Sequence, residues 1–175
     1  RGINEVGMET NKVIDDVHSP FKFIEDSEVH DLETDKNGLF IATRSGLFQM
    51  EWKDQNLKLL FEGFVRQVKV NNDLIIVSDI NGQIWKVKTV EHEKLIYEYG
   101  NIFDFAICGE YMWVNRQDQV ELLKIGTNAQ WVYDHSDGIP GNKIFNVDCD
   151  DEWVWFGTDN GIAFYKWSNY HRIEK

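Results

Sequence analysis

Asp31, Gln67, Asp104 and Asn146 occupy one recurring position in this 175-residue chain. Each stands third in a short segment with apolar ends: Val29-His30-Asp31-Leu32, Val65-Arg66-Gln67-Val68, Ile102-Phe103-Asp104-Phe105 and Ile144-Phe145-Asn146-Val147. Carboxylates and amides gathered at one level could bind a ligand or a cation. Asp31 and Asp104 could also supply the paired carboxylates of glycoside hydrolysis. The competing role is structural, because polar side chains inside a fold need hydrogen-bond partners in any case. A second candidate set lies in turns: Arg44, Asp79, Arg116, Asp159 and Asn160, with Thr43, Asn81 and Asp118 beside them. Loops held by a rigid scaffold commonly carry recognition. Asp and Asn also favour turns on their own account.

Other chemistry finds little support. Glu33 to Arg44 places Gly38 at the sixth position of a calcium loop, but the twelfth position is Arg44 rather than a bidentate Glu. The five histidines show no HxH or HExxH spacing, so no metal site is expected. No GxSxG or GxxxxGK[ST] motif occurs, and no cofactor is implied. No catalytic residue is assigned.

The elements that must position these residues follow from a repeat. Ile41, Val77, Val114 and Phe156 begin equivalent turn-bearing stretches and lie 36, 37 and 42 residues apart. The segments holding the four polar residues repeat with the same offsets. Each copy alternates strand formers with turns such as Asn81-Gly82 and Ser45-Gly46, the strongest short-range hairpin signal. A last strand follows in three copies: 57–61, 94–99 and 130–133. Four strands in about 40 residues is the unit of a β-propeller blade. The fold class expected is therefore all-β. It comprises about four four-stranded antiparallel blades, near 26–62, 63–99, 100–141 and 142–175, with a partial blade over 1–25. Asn169 to Ile173 reads as the final strand. The third copy is degenerate, because Gln119 replaces the turn glycine. The polar position falls on the innermost strand, which predicts a ring of Asp31, Gln67, Asp104 and Asn146 around a central channel.

Gly2 matches Gly46, so the chain opens within a repeat. That predicts a portion of a larger propeller, completed by further blades, another chain or a second copy in a homodimer; the alternative is a self-contained five-bladed ring with a two-stranded first blade. The richness in Trp, Phe and Tyr is read as packing between blades, with Trp85, Trp113, Trp153 and Trp155 as its main elements.

A net charge of −12 argues against nucleic acid and against an anionic membrane surface. No stretch approaches the roughly 20 apolar residues of a membrane span. Cys149 aligns with Ile107 rather than with Cys108, so the two cysteines should point to opposite faces of their strands. Both are expected to be free and buried.

The fourth copy resembles the two-component-regulator propeller repeat. The likeness rests on Asp137-Gly138-Ile139-Pro140, Ile144 to Asp148, Trp153-Val154-Trp155-Phe156-Gly157-Thr158, Gly161-Ile162 and Tyr165. The first copy keeps Asp35, Gly38, Leu39-Phe40-Ile41, Thr43, Gly46 and Leu47. The second and third have drifted. The resemblance implies an extracellular or periplasmic sensor module of the kind found in bacterial hybrid histidine kinases and related surface proteins.

Three functional expectations follow. The first is a non-enzymatic module that binds a small molecule, glycan or protein. The second is an intracellular WD40-like scaffold using its acidic surface, although Trp-Asp and Gly-His signatures are absent. The third is a carbohydrate-active enzyme using Asp31 and Asp104.

Overall fold

The structure is a computed structural model describing residues 5–7, 12–14, 21, 24, 27–71, 73–87, 92–98 and 100–171. Most of the partial first copy, including Gly2, lies outside them. The chain divides into two compact units, Arg1–Tyr97 and Glu98–Lys175.

The first unit holds a hairpin, β1 (Glu5–Gly7) with β2 (Lys12–Ile14), and two four-stranded antiparallel sheets. One sheet runs β3 (Val29–Thr34), β4 (Gly38–Thr43), β5 (Gly46–Glu51) and β6 (Leu57–Glu62). The next runs β7 (Val65–Asn71), β8 (Leu74–Asp79), β9 (Gln83–Val87) and β10 (His92–Glu98). The second unit repeats the plan with β11 (Asp104–Cys108), β12 (Tyr111–Asn115), β13 (Val120–Lys124) and β14 (Gln130–Tyr133). Its other sheet has three described strands, β15 (Ile144–Cys149), β16 (Val154–Thr158) and β17 (Gly161–Tyr165). Within each sheet, strands adjacent in sequence are hydrogen-bonded neighbours.

The strand registers repeat as the sequence spacings do. Asp31 pairs with Ala42, Gln67 with Ser78, Asp104 with Asn115 and Asn146 with Gly157. Leu32, Val68, Phe105 and Val147 in turn face Ile41, Val77, Val114 and Phe156. Three of the four first strands carry a register shift just before the polar residue, at 29/31, 65/67 and 144/146. An extra residue there lets two apolar residues three apart enter one core, which strict alternation forbids. Val65 and Val68 are both fully buried in the first unit's core, and Ile144 and Val147 are both buried in the second's.

Each unit packs two sheets face to face. In the first, Phe40, Ala42 and Leu47 meet Val65, Val68, Ile75 and Val77. In the second, Trp113, Val120 and Leu122 meet Ile144, Val147, Val154 and Phe156. Trp113 is fully buried and meets Phe156 edge-on at 5.7 Å. Trp85 packs on Phe61 and Trp153 on Phe164. Trp155 is more open, 37% exposed.

The turns close as their residue types dictate. Asp35 Oδ1 accepts from the amides of Asn37 and Gly38, and Asp150 Oδ1 from those of Glu152 and Trp153. The degenerate third copy takes a different route. Asn115 Oδ1 accepts from the Gln117 amide at 2.8 Å, and Gln117 itself adopts φ 82°. The left-handed residue that glycine supplies in the second and fourth copies (Gly82 at 72°, Gly161 at 108°) has thus moved two positions earlier.

Two expectations are corrected. Cys108 and Cys149 are not free. They form a disulfide, with Cα atoms 6.1 Å apart. Their opposite orientations bring them together, because they sit on adjacent sheets whose facing surfaces are opposite faces of equivalent strands. The final segment is also not a strand over its described part. Ser168–His171 forms a single helical turn, α1. The amide of His171 donates to the Trp167 carbonyl, and the buried His171 ring meets Tyr133 and Trp131.

Candidate functional site

In the first unit, Asp31 joins β3 to β7. Its Oδ1 accepts from the Leu32 amide on its own strand, and its Oδ2 accepts from the Val68 amide on the next sheet at 3.0 Å. In the second unit Asp104 repeats this contact. Its Oδ1 accepts from the Phe105 amide and its Oδ2 from the Val147 amide, both at 2.9 Å. Two carboxylates therefore use the same pair of bonds to tie the innermost strands of neighbouring blades. Such charge-assisted bonds are stronger than neutral ones.

Gln67 and Asn146 stand at the equivalent places on the second blade of each unit. Gln67 Oε1 lies 3.4 Å from Ser78 Oγ, the donor. Asn146 lies over Gly157, where any Cβ would collide with Asn146 Oδ1. The sequence-predicted ring residues thus fall into two neighbouring pairs, Asp31 with Gln67 and Asp104 with Asn146.

The turn residues divide by task. Asp79 Oδ1 accepts from the Asn81 and Gln83 amides, while its Oδ2 accepts from Trp85 Nε1. Asp159 Oδ1 accepts from the Asn142 and Lys143 amides and so fixes the loop that follows Asp137-Gly138-Ile139-Pro140. The Asn160 amide donates to Thr158 Oγ1. Arg44 is exposed, and its amide donates to the Glu28 carbonyl. Asp79 and Asp159 are thus engaged in holding backbone, and Arg44 projects from it.

Arg116 is placed differently. It lines a depression of about 420 Å³ with Gly100, Asn101, Phe103, Gln117, Asp118 and Gln119. Asn101 (φ 65°) and Gln117 (φ 82°) are two of the three non-glycine residues with positive φ among the described residues. Held strain of this kind collects at binding sites. The rim is held from below. The amide of Ile144 donates to the Gln117 carbonyl at 2.6 Å, and Asn115 Nδ2 donates to the Ile144 carbonyl. Arg116 Nε lies 3.7 Å from the carboxylate of Glu121, which is 5% exposed and also accepts from Gln119 and Gln130. Burial pushes the Glu121 carboxyl above its ordinary value. The depression offers a guanidinium, amide groups, a carboxylate and one aromatic face to a polar ligand.

Phe103 was not among the sequence candidates. It is 38% exposed, and its counterpart Phe145 is 58% exposed. Both immediately precede the polar residue, and the bulge at 144/146 is what turns Phe145 away from the core. The sequence signal was available, since Ile102/Phe105 and Ile144/Val147 are apolar pairs three apart, a spacing that period-two alternation does not give.

No protein-family model matches this chain, and no curated protein matches it in sequence. Solved structures do match. The chain is built of β-propeller blades. The extracellular domain of BT3049 from B. thetaiotaomicron, assigned to a hybrid two-component system, superposes with TM-score 0.65 at 17% identity, over 95% of this chain and 25% of that one. The computationally designed Ika4 protein superposes with TM-score 0.62 at 15% identity, over 80% of this chain and 91% of the designed one. The β-propeller domain of Cps50 (Swd1) from Myceliophteria thermophila gives 0.62 at 8% identity, over 83% and 53%. The chain thus spans about a quarter of the BT3049 domain and nine-tenths of Ika4. No helix among the described residues is long and apolar enough to cross a membrane.

Proposed function

We propose that this chain is a non-enzymatic binding module, the extracytoplasmic sensor part of a signalling or surface protein of the two-component-regulator propeller type. The observation that carries the binding role is the depression around Arg116 and Phe103, whose rim is fixed by strained residues and by bonds to the neighbouring blade. The sensor assignment draws on the fourth copy's motif and on the likeness in fold to extracellular domains of two-component systems. The Cys108–Cys149 disulfide supports an oxidising compartment and speaks against the intracellular scaffold. The enzymatic alternative asks Asp31 and Asp104 to react, yet each already spends both oxygens on backbone amides.

A thermal-shift screen of the chain against glycans, peptides and small metabolites, followed by calorimetry, tests this reading. A ligand whose affinity falls about tenfold or more in Arg116→Ala and in Phe103→Ala is expected, the loss of one desolvated polar or stacking contact. Turnover of a substrate that disappears in Asp104→Asn would overturn it.

A further inference from the structure

The fourth blade differs from the first and third at its outer edge. β6 pairs with β5 and β14 with β13, whereas no described strand pairs with the outer edge of β17. Ile162 faces Gly157 as Leu47 faces Ala42 and Val120 faces Asn115, so the three residues are equivalent. Leu47 and Val120 are fully buried, while Ile162 is 74% exposed. Phe164 faces Trp155 as Leu122 faces Trp113. Leu122 is fully buried, while Phe164 is 66% exposed.

The closed edges show what this one lacks. Each sets an aromatic residue of its outer strand against an aliphatic residue of the strand beside it: Phe61 against Leu47, Tyr133 against Val120 and Trp131 against Leu122. Such cross-strand pairs are what stabilise a sheet. The described residues after β17 supply none, because Ser168–His171 turns into α1. An edge strand without charge or proline is also a template for another strand. The first unit guards its outer strands, with Lys58 and Glu62 in β6 and Glu93, Lys94 and Glu98 in β10. Gly161-Ile162-Ala163-Phe164-Tyr165 of β17 has no charged residue and no proline.

The strand is complementary to itself. Full antiparallel overlap of two β17 strands is symmetric about Ala163. It sets Ile162 against Phe164 of the partner subunit and Phe164 against Ile162 of the partner subunit. Those are two aliphatic–aromatic pairs of the kind found at the closed edges. On the other face it sets Tyr165 against Gly161 of the partner subunit, where a Cβ would meet nothing within 4 Å and a ring has room to cover the glycine. The small Ala163 lies at the two-fold axis. Trp155, 37% exposed, stands beside Phe164 and extends the apolar row onto β16. Such a contact uses the same patch on both copies and closes as a dimer. We infer that the outer edge of β17 is an interface for a second copy of this chain, joined strand to strand about Ala163. Five paired residues make a small interface, so the dimer should be a weak one with a micromolar dissociation constant. The inference does not rest on the binding role of the Arg116 depression, whose lining residues lie outside β17.

Sedimentation velocity of the intact chain from about 1 to about 300 µM tests the inference. A reversible monomer–dimer equilibrium is expected. Ile162→Lys and Phe164→Lys should each weaken it by about tenfold or more, because either change removes both symmetric pairs. The unfolding temperature of the monomer should stay unchanged, since both side chains are exposed in the single chain. Cysteine cross-linking tests the register. An oxidised mixture of Ile162→Cys and Phe164→Cys chains should link well ahead of either variant alone, because only directly opposed residues lie within disulfide reach. A chain that stays monomeric throughout would overturn the inference and leave the edge to a strand of another protein or of a longer form of this one. A dimer unaffected by both Lys variants, or equal cross-linking by the mixture and the single variants, would overturn it too. None of these outcomes touches the Arg116 depression, on which Arg116→Ala and Phe103→Ala report.

Discussion

In the first unit Asp31 reaches across to the amide of Val68, and in the second Asp104 reaches across to that of Val147. The second unit adds a disulfide across the same pair of strands. Aligning Asp31 with Asp104 and Gln67 with Asn146 puts Asp35 and Val70 of the first unit where Cys108 and Cys149 stand in the second. The first unit uses Asp35 instead to close its own hairpin. The carboxylate contact is therefore the shared means of joining blades. The covalent tie is an addition in the unit whose core is more aromatic.

The largest test of this comparison is removal of the disulfide. Reduction, or Cys108→Ser with Cys149→Ser, should cost the second unit about 3–4 kcal/mol, the chain-entropy value for a loop of about 40 residues. Hydrogen exchange should quicken in β11 and β15 and stay unchanged in β3 and β7. Unchanged exchange in β15 after reduction would deny the disulfide its role.

Next come the carboxylates. Asp31→Ala and Asp104→Ala should each destabilise their own unit by about 1–3 kcal/mol, because a strand amide loses its acceptor. The Asn variants, which keep an oxygen, should cost less. Similar losses for the two Ala variants in reduced protein, measured by urea unfolding, would confirm one contact used twice. A loss confined to Asp104 would break the equivalence.

A smaller effect separates the units by pH. His171 is buried in the second unit, where its Nε2 meets the Tyr133 hydroxyl at 2.6 Å and its carbonyl accepts from Tyr111. Burial lowers its pKa below 6.5. The folded state then binds fewer protons than the unfolded chain, so stability falls on acidification below 6.5 and recovers as pH rises. Glu121, raised above 4.5 by burial, acts with the opposite sign. The difference between the wild type and His171→Phe isolates the histidine. The variant should be less sensitive to acidification from neutral pH to pH about 5, since it has no imidazole to protonate. Equal sensitivity in both proteins would remove His171 from the account.

The smallest expected change lies in the degenerate turn. Gln117→Gly should stabilise the second unit by up to about 1 kcal/mol, because glycine adopts φ 82° without the steric penalty. The same change should rigidify nothing and loosen the rim of the Arg116 depression. A ligand of that depression should therefore bind the variant more weakly even as the fold gains stability.

Strand pairing was legible in the chain because alternation and turn glycines act locally. The offsets read from Ile41, Val77, Val114 and Phe156 reappear as registers in all four sheets. The Arg116 depression was legible only in part. Arg116 and Asp118 stand out as turn residues, whereas Phe103 by residue type alone carries no signal that separates it from the chain's other aromatics. It lines the depression and stays partly exposed beside Asp104, on the one first strand that carries no register shift.

The sequence by itself determined the blade unit, its strands and the recurrence of one polar position, since each depends on contacts between residues close in the chain. Only the tertiary structure decided what those residues meet. Facing surfaces turned two opposed cysteines into a disulfide, and α1 replaced an expected strand by placing His171 against Tyr133. Asp31 and Asp104 found their partners 37 and 43 residues away. Contacts at that range depend on how sheets stack, which local periodicity does not encode.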